Sequence, residues 1–197
     1  MIKTHQPGAR DFFRRAPAVC ARELIGAEFW WDGCAGIVVE TEAYSEIGDE
    51  ACHMFFRPSA RRFVEAHAPG AAYVYFNYGM YWLTNVLTHD LATGERGFVL
   101  LRALQPAAGI DEMRKRRGGG RRDLDLCSGP GKLSMALAID GKHHGWDFIA
   151  DRRRGFREGC RLAVDTDRRI GISRSQDLPW RFLASGSPWV SRKKSGQ

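Results

Sequence analysis

The sequence predicts a mixed α/β fold, a single compact domain over residues 1–197 with an antiparallel β-sheet and helices around it. Three observations lead there. Runs of aromatic and β-branched residues are broken by short turn signals at Asp32-Gly33 and Tyr78-Gly79, the mark of hairpins. Segments with helical start and stop signals lie at the periphery of these runs. A chain of 197 residues with 44% apolar content has the size of one ordinary domain, and no internal repeat or low-complexity linker divides it.

Taken in order, residues 16–26 read as a short helix, with Pro17 near its start and Gly26 past its end. Glu28 to Trp31 and Gly36 to Tyr44 form a hairpin around Asp32-Gly33. Strict alternation on the second strand puts Glu40, Glu42 and Tyr44 on one face, with Ile37, Val39, Thr41 and Ala43 on the other. Residues 61–67 form a short helix before Pro69-Gly70. Tyr73 to Thr88 is a second hairpin with its tip near Gly79, and Phe98 to Leu104 is a further strand on which Arg102 shares a face with Phe98, Leu100 and Leu104. Pro106 to Arg117 and Pro130 to Ile139 read as helices, separated by a mobile basic loop over 114–122. Arg168 to Ser173 and Trp180 to Leu183 read as strands, and Arg192-Lys193-Lys194 as a frayed end.

No apolar run reaches the roughly 20 residues of a membrane helix, and the N-terminus lacks the regions of a secretory signal, so a soluble protein of the cytoplasm is expected. Five widely spaced cysteines without a C-x-x-C pair imply neither a disulfide framework nor a zinc site. The net charge is +7, and 24 of the 30 basic residues are arginine, the usual residue for phosphate contacts. A polyanion is therefore a candidate partner, although genome base composition also enriches arginine.

All five tyrosines, at 44, 73, 75, 78 and 81, fall within 38 residues. Such a cluster serves as a cross-strand ladder in a core, or as a wedge and stacking platform for an unstacked base. Tyr78, at the hairpin tip, is the least natural core residue. Glu40 and Glu42 on an apolar strand must be paired or line a cleft, because an unpaired buried carboxylate costs several kcal/mol. They serve as general base and partner, or one neutralises an arginine such as Arg102. Glu42, Asp49, Glu50 and His53 match no standard metal spacing. Gly129-Pro130-Gly131-Lys132 fails the phosphate-loop pattern at Leu126 and Leu133, which disfavours nucleotide hydrolysis. It remains either a helix end that meets a backbone phosphate or an ordinary capped helix.

The segments Ile37-Val38-Val39-Glu40-Thr41-Glu42-Ala43-Tyr44, Tyr73-Val74-Tyr75-Phe76-Asn77-Tyr78-Gly79-Met80-Tyr81, Val99-Leu100-Leu101-Arg102-Ala103-Leu104 and Leu126-Cys127-Ser128-Gly129-Pro130-Gly131-Lys132-Leu133 resemble, in order, the signatures of the alkyladenine (3-methyladenine) DNA glycosylases. Asp11-Phe12-Phe13 and Gly186-Ser187-Pro188-Trp189-Val190-Ser191 extend the resemblance over nearly the whole chain.

The resemblance implies a curved antiparallel sheet with surrounding helices and a monofunctional glycosylase of base excision repair. Its partner would be double-stranded DNA carrying damaged purines such as 3-methyladenine, 7-methylguanine, hypoxanthine or ethenoadenine, with no membrane involved and the protein acting as a monomer. Glu42 would activate the attacking water and Arg102 would help position it. Tyr44, His53 and Tyr75 would enclose the flipped base, Asn85 would narrow the pocket floor, and Tyr78 would fill the gap in the duplex. No cofactor and no metal is implied. Glu46, Cys52 and Arg62 depart from the family pattern beside the pocket, which puts substrate preference in question. Two other readings remain: a damage-binding protein that does not cut, against which Glu42 and Arg102 argue, and a glycosidase for free nucleosides or RNA, against which Tyr78 argues.

Overall fold

Strand β2 (Cys34–Ser45) is the spine of the molecule, because its apolar and β-branched run is flanked by partners along both edges. The computed structural model describes residues 6–151 and 153–192, so Lys193 and Lys194 of the expected frayed end lie outside the described residues. Along one edge β2 pairs first with β1 (Glu28–Trp31) and then with β8 (Arg181–Ala184). Along the other it pairs with β5 (Arg96–Ala108), followed by β4 (Tyr81–His89) and β3 (Ala72–Asn77). β6 (Arg154–Arg157) extends the sheet beside β1, and β7 (Val164–Asp167) extends it beside β8. Every pairing is antiparallel, and the curled sheet is surrounded by helices, as the sequence predicts.

Both hairpin turns form where the sequence places them. Asp32 and Gly33 have φ of 46° and 82°, the paired left-handed geometry that matches the twist of the flanking strands. Helix α1 (Pro17–Glu23) packs on β2 and β5, and α5 (Pro130–Leu137) packs on β4 and β5. α2 (His53–Phe56) and α3 (Pro58–Ala66) enclose a second apolar cluster of Met54, Phe63, Val64, Tyr73, Leu87 and Phe98. α4 (Ile110–Arg116) follows β5.

Four details differ from the sequence reading. Residues 106–108 continue β5, so the helix expected from Pro106 starts only at Ile110. Pro106 lies opposite Gly36 at a register irregularity, where a missing N–H costs the ladder least. Residues 168–173 form a loop, the strand being Val164–Asp167. Two opposed bulges interrupt the β2–β5 ladder: Val39 is the extra residue on β2, and Arg102 is the extra residue on β5. The first admits both Val38 and Val39 to the core and leaves Ile37 half-exposed; the second sends Leu104 into the core, away from Arg102.

Candidate active site

Arg102, the extra residue of the second bulge, keeps the face of Phe98 and Leu100 and meets the two carboxylates of β2. Its Nε donates to Glu40 Oε1 at 2.7 Å, and its Nη1 lies 3.2 Å from Glu42 Oε2. Glu40 is fully buried and also accepts from Arg181 Nε at 2.9 Å. Burial alone would raise its carboxyl, but the two guanidiniums outweigh that and hold it below the usual carboxylate range. For Arg102, burial is likewise outweighed by Glu42 and Glu40, so its guanidinium is held above its usual value.

Glu42 has a different set of partners. The Tyr44 hydroxyl donates to Oε2 at 2.7 Å, and the backbone N–H of Ile170 donates to Oε1 at 2.7 Å. Burial and the adjacent Glu42 carboxylate push the Tyr44 phenol well above its usual value, so it stays a donor. Ile170 is delivered by its neighbour Arg169, which forks onto Asp49 at 2.6 and 2.8 Å, donates to the Ala43 carbonyl at 2.9 Å and lies over the Tyr44 ring. Both side chains of that ion pair are fully buried, and removing one partner of such a pair costs about 3–5 kcal/mol.

Above this network lies a cleft of about 1120 Å³. Tyr44, Arg102 and Ile170 line its base; Glu42 itself has no exposed surface and sits behind them. Tyr75, His53 and Tyr73 form an aromatic wall, with His53 meeting Tyr75 edge-on at 4.4 Å and its Nδ1 3.0 Å from the Tyr73 hydroxyl. Burial and then the nearby Arg57 cation lower the His53 pKa to about 4, so the ring is neutral at physiological pH. Asn85 lies across from Tyr73 on β4 and shares the cleft side with Tyr81 and Leu83, as strand parity predicts. Its Nδ2 donates to the Tyr73 carbonyl at 3.1 Å, so the ordinary sheet hydrogen bond and the cleft position coexist.

At the rim, Tyr78 is 81% exposed. It has φ of 48°, and Gly79 has φ of 68°, with the Met80 N–H donating to the Asn77 carbonyl at 3.0 Å. A non-glycine residue with positive φ costs about 1–2 kcal/mol, so a bulky tyrosine here is held against local preference. Arg117, Arg121, Lys132 and Arg174 also face the cleft. Gly131 lets the start of α5 lie against Tyr81: a Cβ there would lie 2.8 Å from the Tyr81 ring.

All seven residues singled out from the sequence thus belong to one region. Six line the cleft, and Glu42 is bonded to two of those six, Tyr44 and Arg102. The alternatives for the carboxylate pair divide cleanly, since Glu40 neutralises arginines while Glu42 faces the cleft residues. The three acids and one histidine considered as metal ligands are engaged elsewhere, Asp49 by Arg169 and Glu50 by Arg174. Among the described residues no three potential ligands converge. Sequence reasoning missed Arg169, which is indistinguishable from its neighbour Arg168 in a chain this rich in arginine, and Ile170, which is engaged through its backbone. Of the departures, Glu46 is clamped by Arg96 at 2.8–3.1 Å, and Cys52 is a fully buried core residue whose thiol burial pushes up to about 12; neither lines the cleft. Arg62 is exposed on α3.

No helix among the described residues is long and apolar enough to cross a membrane. Residues 11–188 match the family model of the methylpurine-DNA glycosylases. A protein of Rhodopseudomonas palustris strain HaA2, provisionally named a 3-methyladenine DNA glycosylase, is 43% identical over 189 residues, covering 94% of this chain and 90% of its own. Proteins with the same provisional name from Agrobacterium fabrum and Chlorobaculum tepidum are 44% and 38% identical, covering 93% and 94% of this chain and 92% and 91% of their own.

Proposed function

Because the chain belongs to the methylpurine-DNA glycosylase family, and is on that ground a DNA-3-methyladenine glycosylase, we propose how its geometry serves that activity. A damaged purine rotates out of duplex DNA into the aromatic cleft, Tyr78 fills the space it leaves, and water hydrolyses the N-glycosidic bond with Glu42 as general base. The water oxygen forms a bond to C1′ as the C1′–N bond breaks. The bonding pair leaves with the base, and the water proton passes to Glu42. A cationic lesion such as 3-methyladenine becomes neutral as it departs and so needs little acid. Tyr44 and Tyr75 favour a cationic base by attraction of roughly 1–2 kcal/mol in a desolvated site.

The observation that carries this reading is the position of Glu42 directly behind the base of an aromatic cleft. It accepts from the Tyr44 hydroxyl and the Ile170 N–H and is ion-paired with Arg102 Nη1 at 3.2 Å, so acceptor positions remain for water among the roughly four of a carboxylate. The sealed carboxylate is reached when a wall residue yields. Tyr44 lines the cleft and holds Oε2, so its displacement by the entering base opens that route.

The test is single-turnover incubation, in EDTA, with duplexes each carrying one lesion, comparing the native protein with Glu42→Gln. The native protein should release 3-methyladenine and leave abasic, unnicked strands. Glu42→Gln should bind the same duplexes while excision falls by about 10² to 10⁴. Near-native excision by Glu42→Gln would remove the assignment of the base, and lesion binding without excision by the native protein would favour a damage sensor.

A further inference from the structure

We propose that the Ser191 hydroxyl, with Glu40 behind it, is a positioning device for the reaction, fixing the guanidinium of Arg102 in the orientation in which it serves Glu42. The inference deepens the reading above and rests on it. Ser191 follows β8 on the terminal segment of the described chain, far in sequence from both carboxylates. Its Oγ donates to Glu40 Oε1 at 2.8 Å and accepts from Arg102 Nη2 at 3.3 Å, which uses one donor and one lone pair of a hydroxyl. Its backbone N–H donates separately to Glu40 Oε2 at 2.5 Å. The hydroxyl therefore bridges the carboxylate and the arginine, while the backbone contact keeps the segment in place without it.

The three guanidinium nitrogens of Arg102 go to three different partners, Nε to Glu40, Nη2 to Ser191 and Nη1 toward Glu42. Two contacts fix the plane of the fork, and the third is left for the proposed base. Arg181 donates to the same Glu40 oxygen at 2.9 Å, reaching also Asp167 at 3.1 Å and the Arg192 carbonyl at 2.5 Å. Without the Ser191 hydroxyl, Arg102 keeps one anchor and can swing about it. A misplacement of well under 1 Å at a reacting centre already lowers rate, while binding of the flipped base to the aromatic wall is untouched.

Ser191→Ala removes the bridge alone and retains the backbone bond to Glu40. Single-turnover excision of 3-methyladenine should slow about tenfold, the scale of one hydrogen bond to a charged group. Affinity for the lesion duplex should stay within about twofold and melting temperature within a few degrees. Ser191→Thr, which restores a hydroxyl, should recover most of the rate. Excision by Ser191→Ala at the native rate overturns the proposal, as does an equal fall in rate and affinity, or a threonine variant as slow as alanine. Running Glu42→Gln in parallel separates the two levels. If Glu42→Gln excises normally, the base assignment fails. If it is inactive while Ser191→Ala is native-like, only the positioning role fails.

Discussion

Replacing Tyr78 with glycine should separate function from stability in opposite directions. The side chain is 81% exposed at a tip whose two central residues have φ of 48° and 68°, so its removal forfeits almost no packing. Glycine relieves the left-handed strain, about 1–2 kcal/mol for an L-residue, and returns about 0.5–1 kcal/mol through greater freedom of the unfolded chain. The net gain is about 0–1.5 kcal/mol, which for a chain of this size leaves the melting temperature unchanged or raises it by up to about 6 °C. On DNA the loss is of the opposite sign. A ring filling the gap in a duplex contributes roughly 1–3 kcal/mol per stacked base, so excision under subsaturating conditions should fall by about 5- to 150-fold in a fully paired duplex. The deficit should shrink at a mismatch and nearly vanish in a single strand, where little unstacking is required. The assay is excision of the same lesion in those three contexts beside a thermal melt. An equal deficit in all three, or a clear drop in melting temperature, would refute the wedge and make Tyr78 a folding residue.

Two further outcomes follow from the cleft. If Asn85 narrows the pocket floor as proposed, Asn85→Ser should raise excision of guanine-type relative to adenine-type bases by severalfold, because the shortened side chain would no longer crowd a guanine amino group; loss of its 3.1 Å bond to the Tyr73 carbonyl should cost about 1 kcal/mol. An unchanged ratio with a lowered melting temperature would make Asn85 purely structural. The His53 pKa is lowered to about 4 from its ordinary 6.5, so the unfolded chain binds the extra proton between those values, and stability should fall as pH drops through that window. Burial also lowers His143 and His144, which adds to the same slope. His53→Asn should therefore lessen, without abolishing, the difference in melting temperature between pH 7 and pH 5; an undiminished difference would place the acid sensitivity elsewhere.

How much of the fold and site is readable in the sequence depends on where each signal lies. The two hairpins are legible because Asp32-Gly33 and Tyr78-Gly79 supply the positive φ that a tight turn needs. The cleft-facing run of Tyr81, Leu83 and Asn85 follows from strand parity alone. Parity fails on β2 and β5 because the bulges at Val39 and Arg102 leave no compositional trace. Pro106 reads as a helix start in sequence, and only the pairing with Gly36 shows it inside a strand. The segment 168–173 has strand-like composition, yet its backbone serves side chains instead of a ladder, with the Ile170 N–H used by Glu42. The roles of Tyr44, Tyr75 and the other site residues come from family resemblance, and the geometry gives them neighbours.

The cost of the buried charges argues that they are kept for orientation. Ion pairs removed from water often contribute no more than apolar residues of similar volume, so their presence calls for a reason other than stability. Here there are two sets, and they approach Glu42 from opposite sides. Arg169 and Asp49 fix the loop that presents the Ile170 N–H to Oε1. Arg181, Glu40 and Ser191 fix the guanidinium that faces Oε2. Glu42 lies on the central strand, where β5 pairs with one edge and β8 with the other, so its backbone is among the least free to move. The carboxylate is thereby held in one orientation before any substrate arrives, and no binding energy is spent on ordering it. Of the two cleft side chains beside Glu42, Arg102 is tied to Glu40 and Ser191, whereas Tyr44 holds the carboxylate by its hydroxyl. In the proposed reaction a flipped purine exchanges the Tyr44 contact for water while the Ile170 N–H and the Arg102 ion pair stay in place.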